Sequence, residues 1–283
     1  MIFAMTARER AHTFISSAIQ ASIADNPSLF PETTIQRFSD ASVADPHRLV
    51  RDTVEWAKQT DDESFREFTQ ISMGRMAELC EFEEFYRTFD AMDEILGLDY
   101  SRDLGMRRDQ TTDERLYEGA GIGVQSSYTT LLVTLNRVSP KQGATFVDLG
   151  SGYGRAGLVI GLLRPDMNFI GYEYVGHRVE IGIKSAARVG VSDKIQFKEQ
   201  DLSAADFAIP VADVYYLFDP FTEETYKHVF EQINKIGRQH SVAVVAKGGA
   251  VKWFEKVVAN ECWSQPEIHD IGTLAVYRSA PEV

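Results

Sequence analysis

The sequence predicts an α/β fold: a doubly wound, mostly parallel seven-stranded sheet with a terminal antiparallel β-hairpin, preceded by an all-helical N-terminal region. Three observations carry this. After about residue 140, five short apolar runs alternate with helical segments. Two further runs close the chain with only a turn between them. Before about residue 115, apolar residues recur at helical spacing, uninterrupted by any alternating strand pattern.

In the N-terminal region, Val50, Val54 and Ala57 share one helical face, and Phe65, Phe68, Ile71, Met76 and Leu79 share another. Asn26-Pro27, Phe30-Pro31 and Asp45-Pro46 divide the region into several helices, because proline lacks an N–H and disfavours helical backbone in the residue before it. The charged stretch Glu81 to Asp93 also holds Phe82, Phe85, Tyr86 and Phe89. That stripe is either helix-packing core or a cover for a neighbouring domain or a substrate. The chain therefore divides into a helical accessory region, residues 1–114, and an α/β domain, residues 115–283.

In the second part, TFVDL, NFIGY, KIQF, VYYLF and VAVVA are β-branched or aromatic, and helices are expected to begin near Arg155, His177, Glu223 and Val251. Strand and helix in alternation build a parallel sheet. Trp263 to His269 and Leu274 to Tyr277 are joined through Asp270-Ile271-Gly272-Thr273, too short for a helical crossover, so the last two strands form a hairpin.

Composition sets outer bounds. With 283 residues and 44% hydrophobic content, the chain buries a full core without staples. Cys80 and Cys262 lie in different halves with no CxxC or Cys/His cluster, which argues against a disulfide framework and a structural zinc site and predicts two reduced thiols. A formal net charge of -13 disfavours DNA, since binding to phosphate draws on clustered Lys and Arg. No apolar run reaches membrane length, and the N-terminus lacks a secretory core. The expectation is a cytoplasmic protein with neither membrane nor DNA partner.

The residues with chemical content gather at strand ends. Asp148-Leu149-Gly150-Ser151-Gly152-Tyr153-Gly154 follows TFVDL and precedes the helix opening at Arg155, the context in which a glycine-rich turn brings backbone and helix N-terminus up to a ligand. Asp148, ahead of the first glycine, suits the ammonium of an amino-acid ligand better than a pyrophosphate. Glu173 ends the second strand, where a carboxylate accepts from both ribose hydroxyls. Asp201 follows the third, placed to accept from an exocyclic amine such as that of adenine. Three acids at the ends of successive strands converge on one crevice. Arg155 is expected to interact locally with the turn, and Lys247-Gly248-Gly249 to form a tight turn after the fifth strand.

Asp148 to Gly154, Glu173 and Asp201 resemble motif I, the acidic post-I position and the adenine-site acid of class I S-adenosylmethionine-dependent methyltransferases, over roughly residues 115 to 278. The pairing of DLGSG with GYE is similar to that of the non-SET histone-lysine methyltransferases. The resemblance implies a Rossmann-like sheet, S-adenosylmethionine as cofactor, and Asp148, Gly150, Ser151, Gly152, Gly154, Glu173 and Asp201 as its binding residues, with Asp148 toward the methionine moiety. Gln125, in Gly123-Val124-Gln125-Ser126-Ser127-Tyr128, matches in position a loop whose Glu contacts the cofactor, and replaces that charge with an amide. Asp219-Pro220-Phe221 is similar in position to the NPPY or NNF tetrads of N-methyltransferases. By that resemblance these three are the catalytic candidates, orienting an amine beside an aromatic ring. On the residues alone, Asp219 capping the helix that starts TEETYKHVF, with Pro220 forcing the turn, stands as an equal reading.

The leading expectation is N-methylation of a protein lysine, the acidic chain favouring a lysine-rich partner. A small-molecule methyltransferase with the N-terminal helices as substrate lid, and a non-catalytic cofactor-binding module, stay open. A nicotinamide-dependent oxidoreductase is disfavoured, because Asp148 would crowd an anionic diphosphate.

Overall fold

The β-branched and aromatic runs all form strands: β1 (Thr145–Leu149), β2 (Asn168–Glu173), β3 (Ile195–Glu199), β4 (Val214–Phe218), β5 (Ala243–Lys247), β6 (Glu267–His269) and β7 (Leu274–Arg278). The computed structural model describes residues 5–39, 45–79, 83–105, 125–219, 221–258, 262–269 and 273–281. Cys80, Phe82, Tyr117, Glu118, Pro220, the boundary at 114 and the turn residues Asp270 to Gly272 lie outside them.

The seven strands make one sheet in the order β3-β2-β1-β4-β5-β7-β6. Strands β1 to β5 pair in parallel, and β7 runs antiparallel to both β5 and β6. This is the expected Rossmann-like sheet with a terminal hairpin. Its strand order reverses between β1 and β4, the position at which open α/β sheets leave a crevice at their carboxyl ends.

Helices cover both faces. On one lie α9 (Glu223–Gln239) and α10 (Gly249–Val257), packed over Tyr215, Leu217 and Val244. On the other lie α6 (Tyr128–Val138), α7 (Arg155–Leu163) and α8 (Gly176–Val189). The sequence of α7, RAGLVIGLL, has no polar face, and eight of its nine residues are buried. The reason is that the N-terminal helices add a further layer over it.

That layer comprises α1 (Ala7–Asp25), α2 (Glu32–Ser39), α3 (Pro46–Gln59), α4 (Asp62–Glu78) and α5 (Met92–Leu96). Thr6 starts α1 with a capping box shared with Glu9, while Asp45 and Asp61 cap α3 and α4. Helix α4 packs against α6, α7 and α8, and Phe14, Phe68 and Met76 belong to the same buried cluster as Phe146 and Phe169 of the sheet. Burying each such side chain contributes about 1.5–3 kcal/mol. Phe85 and Phe89 are buried in that cluster too, so these two aromatics of the charged stretch serve as core.

Two local differences from expectation have simple causes. Lys247 is the last residue of β5, paired with Phe218 in β4, and the turn falls on Gly248 at φ 66°. Helix α10 consequently begins at Gly249, two residues before Val251. No described helix is long and apolar enough to cross a membrane, and no group of three or more His, Cys, Asp or Glu among the described residues is set to hold a metal ion.

Candidate functional site

Strand β1 carries Asp148 into the interior where the strand order reverses, beside Tyr216 of β4. The turn after it needs left-handed backbone at Gly150 (φ 99°), Gly152 (φ 55°) and Gly154 (φ 85°), which glycine adopts with no Cβ to clash. Gly150 and Ser151 donate backbone N–H bonds to the Tyr172 carbonyl at 2.9 and 2.8 Å. Gly152 N–H donates to Glu173 Oε2 at 2.9 Å. The Gln125 amide lies directly on this turn, for a Cβ at Gly152 would fall 2.7 Å from Gln125 Nε2. Gly154 instead faces the Phe197 ring, 2.5 Å from where its Cβ would be.

A cavity opens above the turn, lined by Gln125, Ser126, Asp148, Gly150, Ser151, Gly152, Arg155, Ala156, Tyr216 and Phe218. Asp148 is 3% exposed, and its Oδ1 has no hydrogen-bond partner among the described residues, as is also true of Ser151 Oγ. Burial pushes the Asp148 carboxyl well above the usual range, and the nearby charge of Glu173 pushes it further. An acceptor left unpaired in the interior is costly by about 1–3 kcal/mol, and a cationic N–H donor in the cavity would offset that cost.

Glu173 does not line the cavity but is joined to it through Gly152. Its Oε1 accepts from Val175 N–H at 3.0 Å and faces Arg178 Nη1 at 3.4 Å. Arg178 in turn donates to Asp103, through Nη2 to Oδ2 at 2.9 Å and through Nε to Oδ1 at 3.3 Å, and His177 Nε2 lies 3.0 Å from Asp103 Oδ1. Asp201 is half-buried at the end of the neighbouring strand, where its Oδ1 accepts from Ser203 N–H and Oγ at 2.8 and 2.6 Å.

Arg155 does something other than brace the turn. It is buried, its Nε and Nη2 donate to Asp93, and its Nη1 donates to the Ser126 carbonyl at 2.7 Å. Tyr100 and Tyr128 each donate a hydroxyl to Asp93 at 2.7 Å. Burial and the Asp93 charge hold both phenols above their ordinary range. Through Ser126, whose Oγ lies 2.6 Å from Tyr216 Oη, this buried network sets the loop bearing Gln125. Sequence reading missed Asp93, Asp103 and Tyr216: the two acids are separated from their arginines by 62 and 75 residues, and nothing local marks them.

At the other end of the crevice, Asp219 takes φ 47° and accepts from Tyr226 Oη at 3.2 Å. It is not the cap of α9: Thr222 is the N-cap of that helix, without a side-chain cap bond. Phe221 is buried against Tyr226, ring centroids 5.3 Å apart, and the phenylalanine on the cavity wall is Phe218. Lys247, 4% exposed, donates to Thr273 Oγ1 at 3.1 Å with its ammonium near the rings of Phe218 and Tyr86.

No family model matches the sequence, and no curated protein matches it. Solved structures with a similar course of chain include TrmN from Thermus thermophilus, 14% identical over 53% of this chain and 47% of that one, at a TM-score of 0.43. An S-adenosylmethionine-dependent O-methyltransferase from Thermotoga maritima is 13% identical over 54% of this chain and 65% of its own, TM-score 0.43. An RNA methyltransferase from Salinibacter ruber in complex with S-adenosyl-L-homocysteine is 19% identical over 56% and 95%, TM-score 0.43. The chain spans about half the length of the Thermus protein and under two thirds of the Thermotoga one.

Proposed function

We propose that this chain is an S-adenosylmethionine-dependent methyltransferase. The observation that carries the reading is Asp148: a buried carboxylate with an unpartnered oxygen on a cavity beside a glycine-rich turn, at the reversal point of the sheet. An amino-acid ammonium fits that acceptor, and an anionic diphosphate does not. Ser151 Oγ, the Gln125 amide, Glu173 and Asp201 would hold the rest of the cofactor, with Gly150 and Gly152 admitting it to the backbone. When bound, the cofactor supplies an electrophilic methyl group on a sulfonium, which leaves by in-line displacement as the neutral sulfide. Phe218 and Tyr216 on the wall keep that end of the cavity apolar, which favours the displacement by excluding water.

The acceptor we propose is a protein lysine. Its support is the half-buried Asp219 next to Phe218, a carboxylate able to accept from an amine, together with the net charge of -13, which draws a basic partner. Pro220 and Phe221 complete the proposed tetrad. The test is incubation of the full chain with methyl-labelled S-adenosylmethionine and, separately, a histone mixture or a pool of small amines. Label on lysine of the protein fraction is the expected result. Label confined to the small amines would overturn the lysine acceptor while leaving methyl transfer in place.

A further inference from the structure

The Glu173 carboxylate is engaged by protein donors on both oxygens, which raises the question of how it stays open to a ligand. Three groups approach it: Gly152 N–H on Oε2, Val175 N–H on Oε1, and Arg178 Nη1 on Oε1 at 3.4 Å. The last contact is long, outside the 2.7–2.9 Å usual for a charge-assisted bond (about that range). It is long because the arginine is committed elsewhere. Both Nη2 and Nε point to Asp103, a carboxylate with no exposed surface that also faces His177 Nε2. Asp103 sits in the 3-10 turn Ser101–Gly105, outside the α/β sheet and 75 residues from Arg178.

We propose that Asp103 is a positioning residue for the cofactor: it draws Arg178 away from Glu173, leaving the arginine only a long 3.4 Å contact on Oε1, so that Glu173 keeps a lone pair open to the ribose hydroxyls. This rests on the methyltransferase reading. The geometry argues for it in two ways. An arginine beside a lone buried carboxylate closes onto it as a bidentate pair, consuming the lone pairs that a ribose needs. With two carboxylates competing, Asp103 takes the one short bond, from Nη2 at 2.9 Å, and His177 orients Asp103 by holding the oxygen that also receives Nε at 3.3 Å. The turn carrying Asp103 thereby connects to the candidate cofactor site through a chain of charges.

The test is calorimetric binding of S-adenosylhomocysteine and of its 2′-deoxy analogue to the intact chain. Asp103→Asn is expected to weaken S-adenosylhomocysteine about tenfold, the scale of one charge-assisted hydrogen bond, and to change the 2′-deoxy analogue much less. Adding Arg178→Gln removes the competing cation and should restore binding to within about threefold of wild type together with the wild-type difference between the two ligands, whereas relief of an unpaired buried arginine alone raises both ligands equally. His177→Ala removes the contact that orients Asp103 and should show the same pattern at smaller scale, so the question is decided even where D103N does not fold. Equal losses for both ligands, or a double variant weaker than D103N, would overturn the proposal. Wild-type protein that binds neither ligand would overturn the cofactor reading itself.

Discussion

Asp148 is where local chemistry departs furthest from what folding alone would select. Its carboxyl binds a proton more tightly in the folded chain than in the unfolded one, because burial and the Glu173 charge both oppose ionisation. The sign follows: the folded state holds more protons between the unfolded and folded pKa values, so stability falls as pH rises out of the ordinary carboxylate range. Asp148→Asn removes that dependence. In thermal melts of the ligand-free protein, the variant should melt above wild type at pH 7, with the gap closing toward pH 4. The same variant should bind S-adenosylhomocysteine about ten- to a hundredfold more weakly, as expected for loss of a hydrogen bond to a charged group. A variant less stable than wild type at pH 7 would mean that Asp148 is satisfied in the folded state and is held for structural reasons. The proposed role exchanges stability for function at one residue, a usual relation at binding sites.

At the scale of elements, the glycine-rich turn is positioned by helices that begin far away in sequence. Arg155 opens α7, Tyr128 opens α6, and Asp93 lies in α5, so one buried carboxylate joins three helix ends. Asp93→Asn leaves the Arg155 guanidinium buried with a weaker partner and should cost about 3–5 kcal/mol in urea unfolding, the range for breaking one side of a buried ion pair. A loss under about 1 kcal/mol would show that Asp90, 3.6 Å from Arg155, suffices. The elements themselves were legible in sequence. TFVDL, NFIGY and VYYLF became β1, β2 and β4 because apolar β-branched and aromatic runs of that length have few alternatives. The turn was legible because three glycines at a strand end answer a local steric need. Asp93 and Asp103 were not, since an acid in a helical, charge-rich region looks the same in sequence whether it meets water or a buried arginine. The packing of Phe221 on Tyr226 was not legible for the opposite reason: DPF marks a local pattern, while tertiary contacts decide where the ring lies.

Across the whole molecule, the N-terminal helices do not sit apart from the sheet. Phe14 and Phe68 share a buried cluster with Phe146 and Phe169, Gln70 donates to the Leu162 carbonyl at 2.6 Å, and Arg188 donates to the Ala57 carbonyl. Asp93 and Asp103 then extend that region to the edge of the candidate site. A helical layer fused in this way is part of the same core as the sheet, which sets it apart from a substrate lid that packs only over the crevice.

The ligand proposed for the cavity beside Asp148 is an adenosyl amino acid. Isothermal titration of the intact chain with S-adenosylhomocysteine, and in parallel with NAD, tests it most directly. The expected result is saturable one-to-one binding of S-adenosylhomocysteine that Asp148→Asn weakens, and no binding of NAD. Binding of NAD without binding of S-adenosylhomocysteine would contradict it.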